Sequence, residues 1–96
     1  MIFEWDEKKD KTNQAKHHLS FKDASNVFSD PFSVTRWDNT DKESRRQIIG
    51  HLEGMLVILV VFTIRGESDE EEVVRIISAR KATTSERRSY EAGTWF

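Results

Sequence analysis

Cysteine is absent from this 96-residue chain. No disulfide framework, thiolate metal site or thiol nucleophile is therefore available, and the composition suits a reducing compartment. Proline occurs once and glycine four times. That leaves no linker, no low-complexity segment and no glycine-rich loop to cradle phosphates. The longest apolar run, Met55 to Phe62, falls far short of the ~20 residues a membrane span requires. The start, Met1 to Asp6, lacks the basic region and long apolar stretch of a signal peptide, so a cytoplasmic location is expected. No zinc-protease helix, no nucleophile elbow and no carboxylate pair flanking a strand-borne lysine is present, so neither metal nor cofactor is expected. The 36% hydrophobic content is low for a globular chain but too high for a disordered one. The length predicts one domain, 1–96, whose small core gains from a partner that covers apolar surface.

Charge is plentiful and unevenly spread. The formal net charge is -2, which argues against a plain nucleic-acid-binding domain. Five of the 17 acidic residues nevertheless fall in one stretch, Glu67 to Glu72, which leaves 12 acids against 15 bases elsewhere. Like-charge runs of this kind are usually solvated hairpin loops. Arg75, Arg80, Lys81, Arg87 and Arg88 follow, opposed only by Glu86. Local potential, not net charge, decides whether a phosphate is attracted.

Alternating apolar positions predict a short strand over 2–5. Asp6 then caps a polar helix from Glu7 to His17, on which Lys9, Asn13 and Lys16 or His17 share one face. Ser20 caps a second helix over 21–28, ended by Asp30-Pro31. A strand-rich half follows. A short strand covers 33–37, and Trp37 to Lys42 reads as a polar loop. Arg45 to Leu52 alternates, with Arg46, Ile48, Gly50 and Leu52 on one face and Arg45, Gln47, Ile49 and His51 on the other. Glu53-Gly54 turns the chain into a central strand over 55–64, and a longer turn around Gly66 leads to a strand over 73–80. Its faces are expected to be Val74, Ile76, Ser78, Arg80 and Val73, Arg75, Ile77, Ala79. Thr83 and Glu86 form a capping box for a last helix to about Ala92, with Gly93 at its end. The expected class is α+β: N-terminal helices, an antiparallel β-sheet meander and a C-terminal helix.

These residues carry a resemblance. Phe3-Glu4-Trp5-Asp6, Lys9, Asn13, Lys16-His17, Ser20-Phe21, Val27-Phe28 and Asp30-Pro31 resemble the BrnT toxins. So do Arg45, Ile49-Gly50, Arg65, Arg75-Ile76-Ile77-Ser78-Ala79-Arg80, Ala82-Thr83, Glu86-Arg87 and Tyr90-Glu91. The resemblance spans nearly the whole chain and implies a RelE-like fold. It also implies a type II toxin that cleaves RNA and arrests translation. The implied partner is a BrnA-like ribbon-helix-helix antitoxin, in a 2:2 complex that binds operator DNA through the antitoxin. Two departures stand out: His18 replaces a usual glycine, and the acidic stretch lengthens a turn.

Metal-free RNA cleavage needs a proton acceptor for the 2′-hydroxyl, charge stabilisation at phosphorus and a proton for the leaving 5′-oxygen. Guanidinium forks suit the second task. Arg45, Arg65, Arg80 and Lys81 are the candidate catalytic residues, the last two beside a helix start that favours anions. For each, a surface charge or a structural ion pair is the alternative. Lys9, Asn13, His17, Arg75, Arg87 and Tyr90 are the candidate substrate-binding residues. His17 either orients substrate or is a helix-end histidine, and Tyr90 either meets the RNA or anchors the last helix. Arg46 shares a face with Ile48 and Leu52, so its stem packs on the core. Trp5, Trp37 and the Trp95-Phe96 tail are candidate partner anchors, with core closure the alternative for Trp5. The competing function is a non-catalytic antitoxin-binding module that tunes DNA binding by the complex.

Overall fold

The computed structural model describes residues 1–38, 44–53, 56–65 and 71–95 in full, and the backbone of 66–68. The elements are β1 (Ile2–Glu4), α1 (Glu7–His17), α2 (Phe21–Ala24) and a 3₁₀ turn (Ser25–Ser29), then β2 (Val34–Trp37), β3 (Arg46–Leu52), β4 (Leu56–Ser68), β5 (Glu71–Lys81) and α3 (Thr84–Glu91). The expected polar loop beyond Asp38, the Gly54 half of the hairpin turn, Met55, the middle of the acidic stretch and Phe96 lie outside the described residues. Among the described residues no helix is long and apolar enough to cross a membrane.

The strands form one sheet in the order β1-β5-β4-β3-β2. The expected antiparallel meander accounts for β2 to β5, but β1 pairs parallel to β5. The sheet is therefore mixed. β1 is joined to β2 through α1 and α2, so no hairpin dictates its direction. β4 also continues past the turn expected at Gly66 and pairs Glu67 with Glu72 and Ser68 with Glu71.

One sheet face packs against α2 and the 3₁₀ turn. Phe21, Ala24 and Val27 meet Ile48, Ile58, Val60, Phe62, Val74, Ile76 and Ala79 there. Trp5 sits edge-on to Phe21 at 6.3 Å between ring centroids, and so closes this core rather than standing out as an anchor. The other face carries a smaller cluster, Ile49, Val57 and Leu59 under Tyr90 and Trp95.

α1 has no apolar stripe. Asp6 caps it by accepting from the N–H groups of Lys8 and Lys9. What the helix buries is polar: Asp10 and Asn13. Asp10 accepts the first N–H of α2, from Phe21, at 2.9 Å. The amide of Asn13 donates to Leu19 O at 2.9 Å and Ala79 O at 2.8 Å, and its oxygen accepts from Ala79 N at 3.2 Å. Asn13 thus pairs with β5 as another strand would, and it closes the sheet margin that β1 leaves open beyond Arg75. The second helix is shorter than expected. Ser25 Oγ donates back to Lys22 O at 2.6 Å, a competing bond that favours a tightened turn, and the chain becomes 3₁₀ after Ala24.

The face assignment expected for β5 is corrected by a β-bulge. Val61 pairs with Ser78 and Phe62 with Ile76, so Ile77 has no partner of its own. The extra residue shifts the alternation by one. Ala79 joins Val74 and Ile76 in the core, while Ser78 and Arg80 move to the face of Arg75.

Two backbone positions are tight. A Cβ on Gly50 would stand 2.9 Å from both Asp30 Oδ2 and Val27 Cγ2 and 3.0 Å from Ser33 Cβ. His18 ends α1 at φ 56, in the left-handed region where glycine fits best. In urea unfolding, Gly50→Ala is expected to lose about 1–3 kcal/mol through overpacking. His18→Gly is expected to gain about 0.5–1 kcal/mol by removing left-handed strain, net of added chain entropy. Unchanged midpoints would contradict both readings.

Candidate nucleic-acid interface

The second sheet face is covered by α3 and Trp95 over only part of its area. Cross-strand register fixes what the remainder displays. One row runs Arg36–Gln47–Val61–Ser78 from β2 to β5, and the next carries Thr63, Arg75 and Glu4. Arg65 pairs with Val73, and Arg80 with Leu59, on this same face. Arg45, one residue ahead of β3, is in phase with Gln47. Five arginines therefore share one face of a sheet about 14 Å across from β2 to β5. Their floor is Gln47, Val61, Thr63 and Ser78, all half-buried.

Arginine forks on this face are held by named partners. Glu4 takes Arg75 at 2.9 Å and Arg65 at 3.5 Å on its two oxygens, so one carboxylate is shared by two guanidiniums and the group stays positive. Arg80 binds Glu86 with both terminal nitrogens, at 2.7 and 3.0 Å. The same carboxylate accepts Thr83 N–H in the capping box of α3. The Arg80 hydrogen bonds outweigh burial, and with the Thr83 N–H they hold Glu86 at about 2, below its usual 4.5. Arg36 donates from Nε to Gln47 Oε1 at 2.9 Å, and its guanidinium lies 3.9 Å from the Trp95 ring centre. Among the described residues neither Arg36 nor Arg45 has a carboxylate partner.

α1 adds a second basic surface beside this face. A groove of about 460 Å³ is lined by Lys8, Lys9, Thr12, Lys16 and His17 across from Ile77 and Ser78. Ser78 belongs to both the groove and the arginine face. The bulge thus makes the two surfaces continuous, and Lys9 and His17 stand beside the arginine face. Asn13 lies at the groove floor with both N–H groups engaged, so its visible work is structural.

Other expected residues are not brought together. Lys81 pairs with Ile58, a residue of the main core, and so projects opposite to Arg80. The two do not form one phosphate site, and Glu86 already meets the anion preference of the α3 start. Arg87 is an exposed partner of Glu91 at 3.6 Å. Arg46 stands opposite the core residue Phe62 and carries its guanidinium over the Trp37 ring at 4.4 Å. Tyr90 is buried and donates to Asp30 Oδ2 at 3.2 Å, and His51 Nδ1 stands 3.1 Å from its hydroxyl. Burial, then the charge and acceptor of Asp30, push Tyr90 up to about 12. Burial opposes the ionisation of Asp30, but the N–H groups of His51 and Phe32 with the Tyr90 hydroxyl prevail and keep its pKa lowered. Tyr90 is thus a locked anchor for α3, unsuited to proton transfer near neutrality. Glu86 is equally unsuited, being too weak a base. Sequence reasoning missed Arg36 and the Asp30–His51–Tyr90 chain. Only the alternation of Arg36 opposite Gln47 could have signalled the first. Among the described residues no three His, Asp or Glu side chains converge as metal ligands.

Comparison with known proteins gives a consistent picture. Residues 5–86 match the family model described as the ribonuclease toxin, BrnT, of a type II toxin–antitoxin system. The 1.1 Å crystal structure of the Brucella abortus ribonuclease toxin BrnT is similar, with a TM-score of 0.66 and 30% identity over 88% of this chain and 100% of that one. No curated protein matches the chain.

Glu86 generates an acid-stability prediction. Its pKa is depressed by folding, so its contribution is present above pH 4.5 and is lost as pH falls towards 2. Thermal unfolding of Glu86→Gln between those limits should show a shallower loss of stability than the wild type. Equal slopes would mean that the pair contributes nothing there.

Proposed function

The chain belongs to the BrnT family of ribonuclease toxins of type II toxin–antitoxin systems, and from that premise we propose that the arginine face is where it cleaves RNA. The observation that carries this reading is the convergence of Arg36, Arg45, Arg65, Arg75 and Arg80 on one open sheet face. In this reading residues 1–96 act as one RelE-like toxin domain in the cytoplasm, and loss of RNA arrests translation.

The geometry supports the following mechanism. A single strand lies along the sheet with its phosphates on the arginines and continues into the lysine groove of α1, where Lys9, Lys16 and His17 meet the next phosphates. Arg75 and Arg65, held in place by Glu4, take the non-bridging oxygens of the scissile phosphate. The 2′-oxygen attacks phosphorus, its proton goes to a base, and the 5′-oxygen leaves with a proton, giving a 2′,3′-cyclic phosphate. Negative charge that builds on phosphorus is met by fixed guanidinium donors, which need no reorganisation. Arg80, fastened to Glu86, sets the limit of the strand at α3. Guanidinium donors can meet the charge on phosphorus without a bound metal, so the proposed cleavage is metal-independent. The partner that restrains the toxin is a BrnA-like ribbon-helix-helix antitoxin, in a 2:2 assembly that binds operator DNA through the antitoxin.

Purified protein should cleave RNA in excess chelator. Arg75→Ala should lower the rate by about 10²-fold or more, since a lost donor to transition-state charge costs that much. Tyr90→Phe should still cleave but melt earlier. Loss of cleavage in chelator, restored by magnesium, would overturn metal independence. Wild-type rates in Arg75→Ala and Arg45→Ala would overturn the site. A folded protein that binds antitoxin but leaves RNA intact would favour the non-catalytic module.

A further inference from the structure

The two margins of the sheet are finished differently. On one side the outermost strand is the three-residue β1, which covers Val73 to Arg75, and beyond it Asn13 takes the peptide groups of Ala79. On the other side β2 is the outermost strand. Asp38 N donates to Arg45 O at 3.0 Å. Antiparallel pairs alternate between bonded and non-bonded, so Val34 and Arg36 turn their peptide groups towards β3 while Thr35 and Trp37 turn theirs outward. Among the described residues nothing bonds those outward groups. Natural edge strands are shielded by shortness, charge, proline, lysine or a bulge; β2 is short and carries Arg36, but of the last three devices it shows no example. Thr35 is exposed and Trp37 is 62% exposed. A notch of about 120 Å³ opens here between Thr35, Arg36, Trp37 and Arg46.

We propose that β2 is the docking strand for the antitoxin: an extended antitoxin segment adds to it as a sixth strand, with an acidic residue opposite Arg36 and an apolar residue opposite Trp37. The inference rests on the toxin reading, which supplies the partner. Thr35 and Trp37 give the added strand its main-chain bonds. The guest residue opposite Arg36 lies on the arginine face, beside a guanidinium without a carboxylate partner among the described residues, where a carboxylate fits best. Guests opposite Thr35 and Trp37 lie on the other face. There the Trp37 ring, backed by Arg46 at 4.4 Å, offers an exposed aromatic anchor. A second copy of this chain fits less well. The two-fold register that uses every outward group sets Arg36 against its own copy, and like charges directly opposite repel.

The test uses the wild-type chain with the product of the reading frame adjacent to its gene. Amide exchange at Thr35 and Trp37 is expected to slow by at least about tenfold on complex formation, as for newly bonded strand groups. Thr35→Pro removes one outward N–H and leaves the inward ladder to β3 intact. It should arrest growth as the wild type does, yet no longer be rescued by the antitoxin. Unchanged exchange at both amides would overturn the proposal. So would a Thr35→Pro chain still rescued and co-purified, a neighbouring product that forms no complex, or a dimer of the chain alone that Thr35→Pro abolishes. If Thr35→Pro fails to fold, the exchange measurement on the wild type decides. Protection at Thr35 and Trp37 in a complex whose free toxin leaves RNA intact would support the docking strand and overturn the nuclease reading, so the two fail separately.

Discussion

The β-bulge at Ile77 governs what the arginine face can be. Without that extra residue, strict alternation would place Arg80 with Val74 and Ile76, inside the main core, where an unpaired guanidinium is very costly. With it, Ala79 fills the core and Arg80 stands beside Ser78 and Arg75. Asn13 fastens the strand just beyond the bulge by bonding both peptide groups of Ala79. An irregular strand end is thereby held by a helix that has no apolar face of its own. The same contact lays α1 beside Ser78 and joins the lysine groove to the arginines. One register shift therefore links packing, helix placement and the continuity of the basic surface.

Carboxylates on this surface shape the positive field without erasing it. Glu4 serves two arginines, so its pair of contacts leaves an excess cation and fixes two forks at once. Glu86 neutralises Arg80 and in the same act caps α3. The basic character thus concentrates towards Arg65, Arg75, Arg45 and Arg36. A net charge of -2 is compatible with a phosphate-binding face because Glu67, Glu71 and Glu72 lie, by register, at the end of the β4–β5 ribbon far from Arg80.

Much of the element order was legible because each segment carries a local signal. Asp6, Ser20 and the Thr83–Glu86 box mark helix starts, and the alternation over 45–52 survives intact in β3. The β5 faces were not legible. Val73, Val74, Ile76, Ile77 and Ala79 are apolar at both parities, so a one-residue shift leaves no trace in the pattern. The buried side of α1 was hidden for the opposite reason: it consists of Asp10 and Asn13, residues normally assigned to solvent. Four of the five arginines of the face were readable, but Arg36 and the grouping were not. Arg80 and Lys81 look like one basic pair in sequence and project to opposite faces in space. The glycine position occupied by His18 becomes intelligible only once its φ of 56 is known.

Arg36 ties the outer strand to the site. Its row runs through Gln47 and Val61 to Ser78, and its guanidinium rests on Trp95. A strand added at β2 would engage Arg36 directly. A carboxylate drawn to that guanidinium would enter the field proposed to attract RNA, at the margin farthest from Glu4 and Glu86. Restraint of the toxin would then need no conformational change in the arginine face. Competition for Arg36, and the bulk of whatever chain continues beyond the added strand across Gln47 and Val61, would then be enough to exclude a phosphate backbone from the same floor.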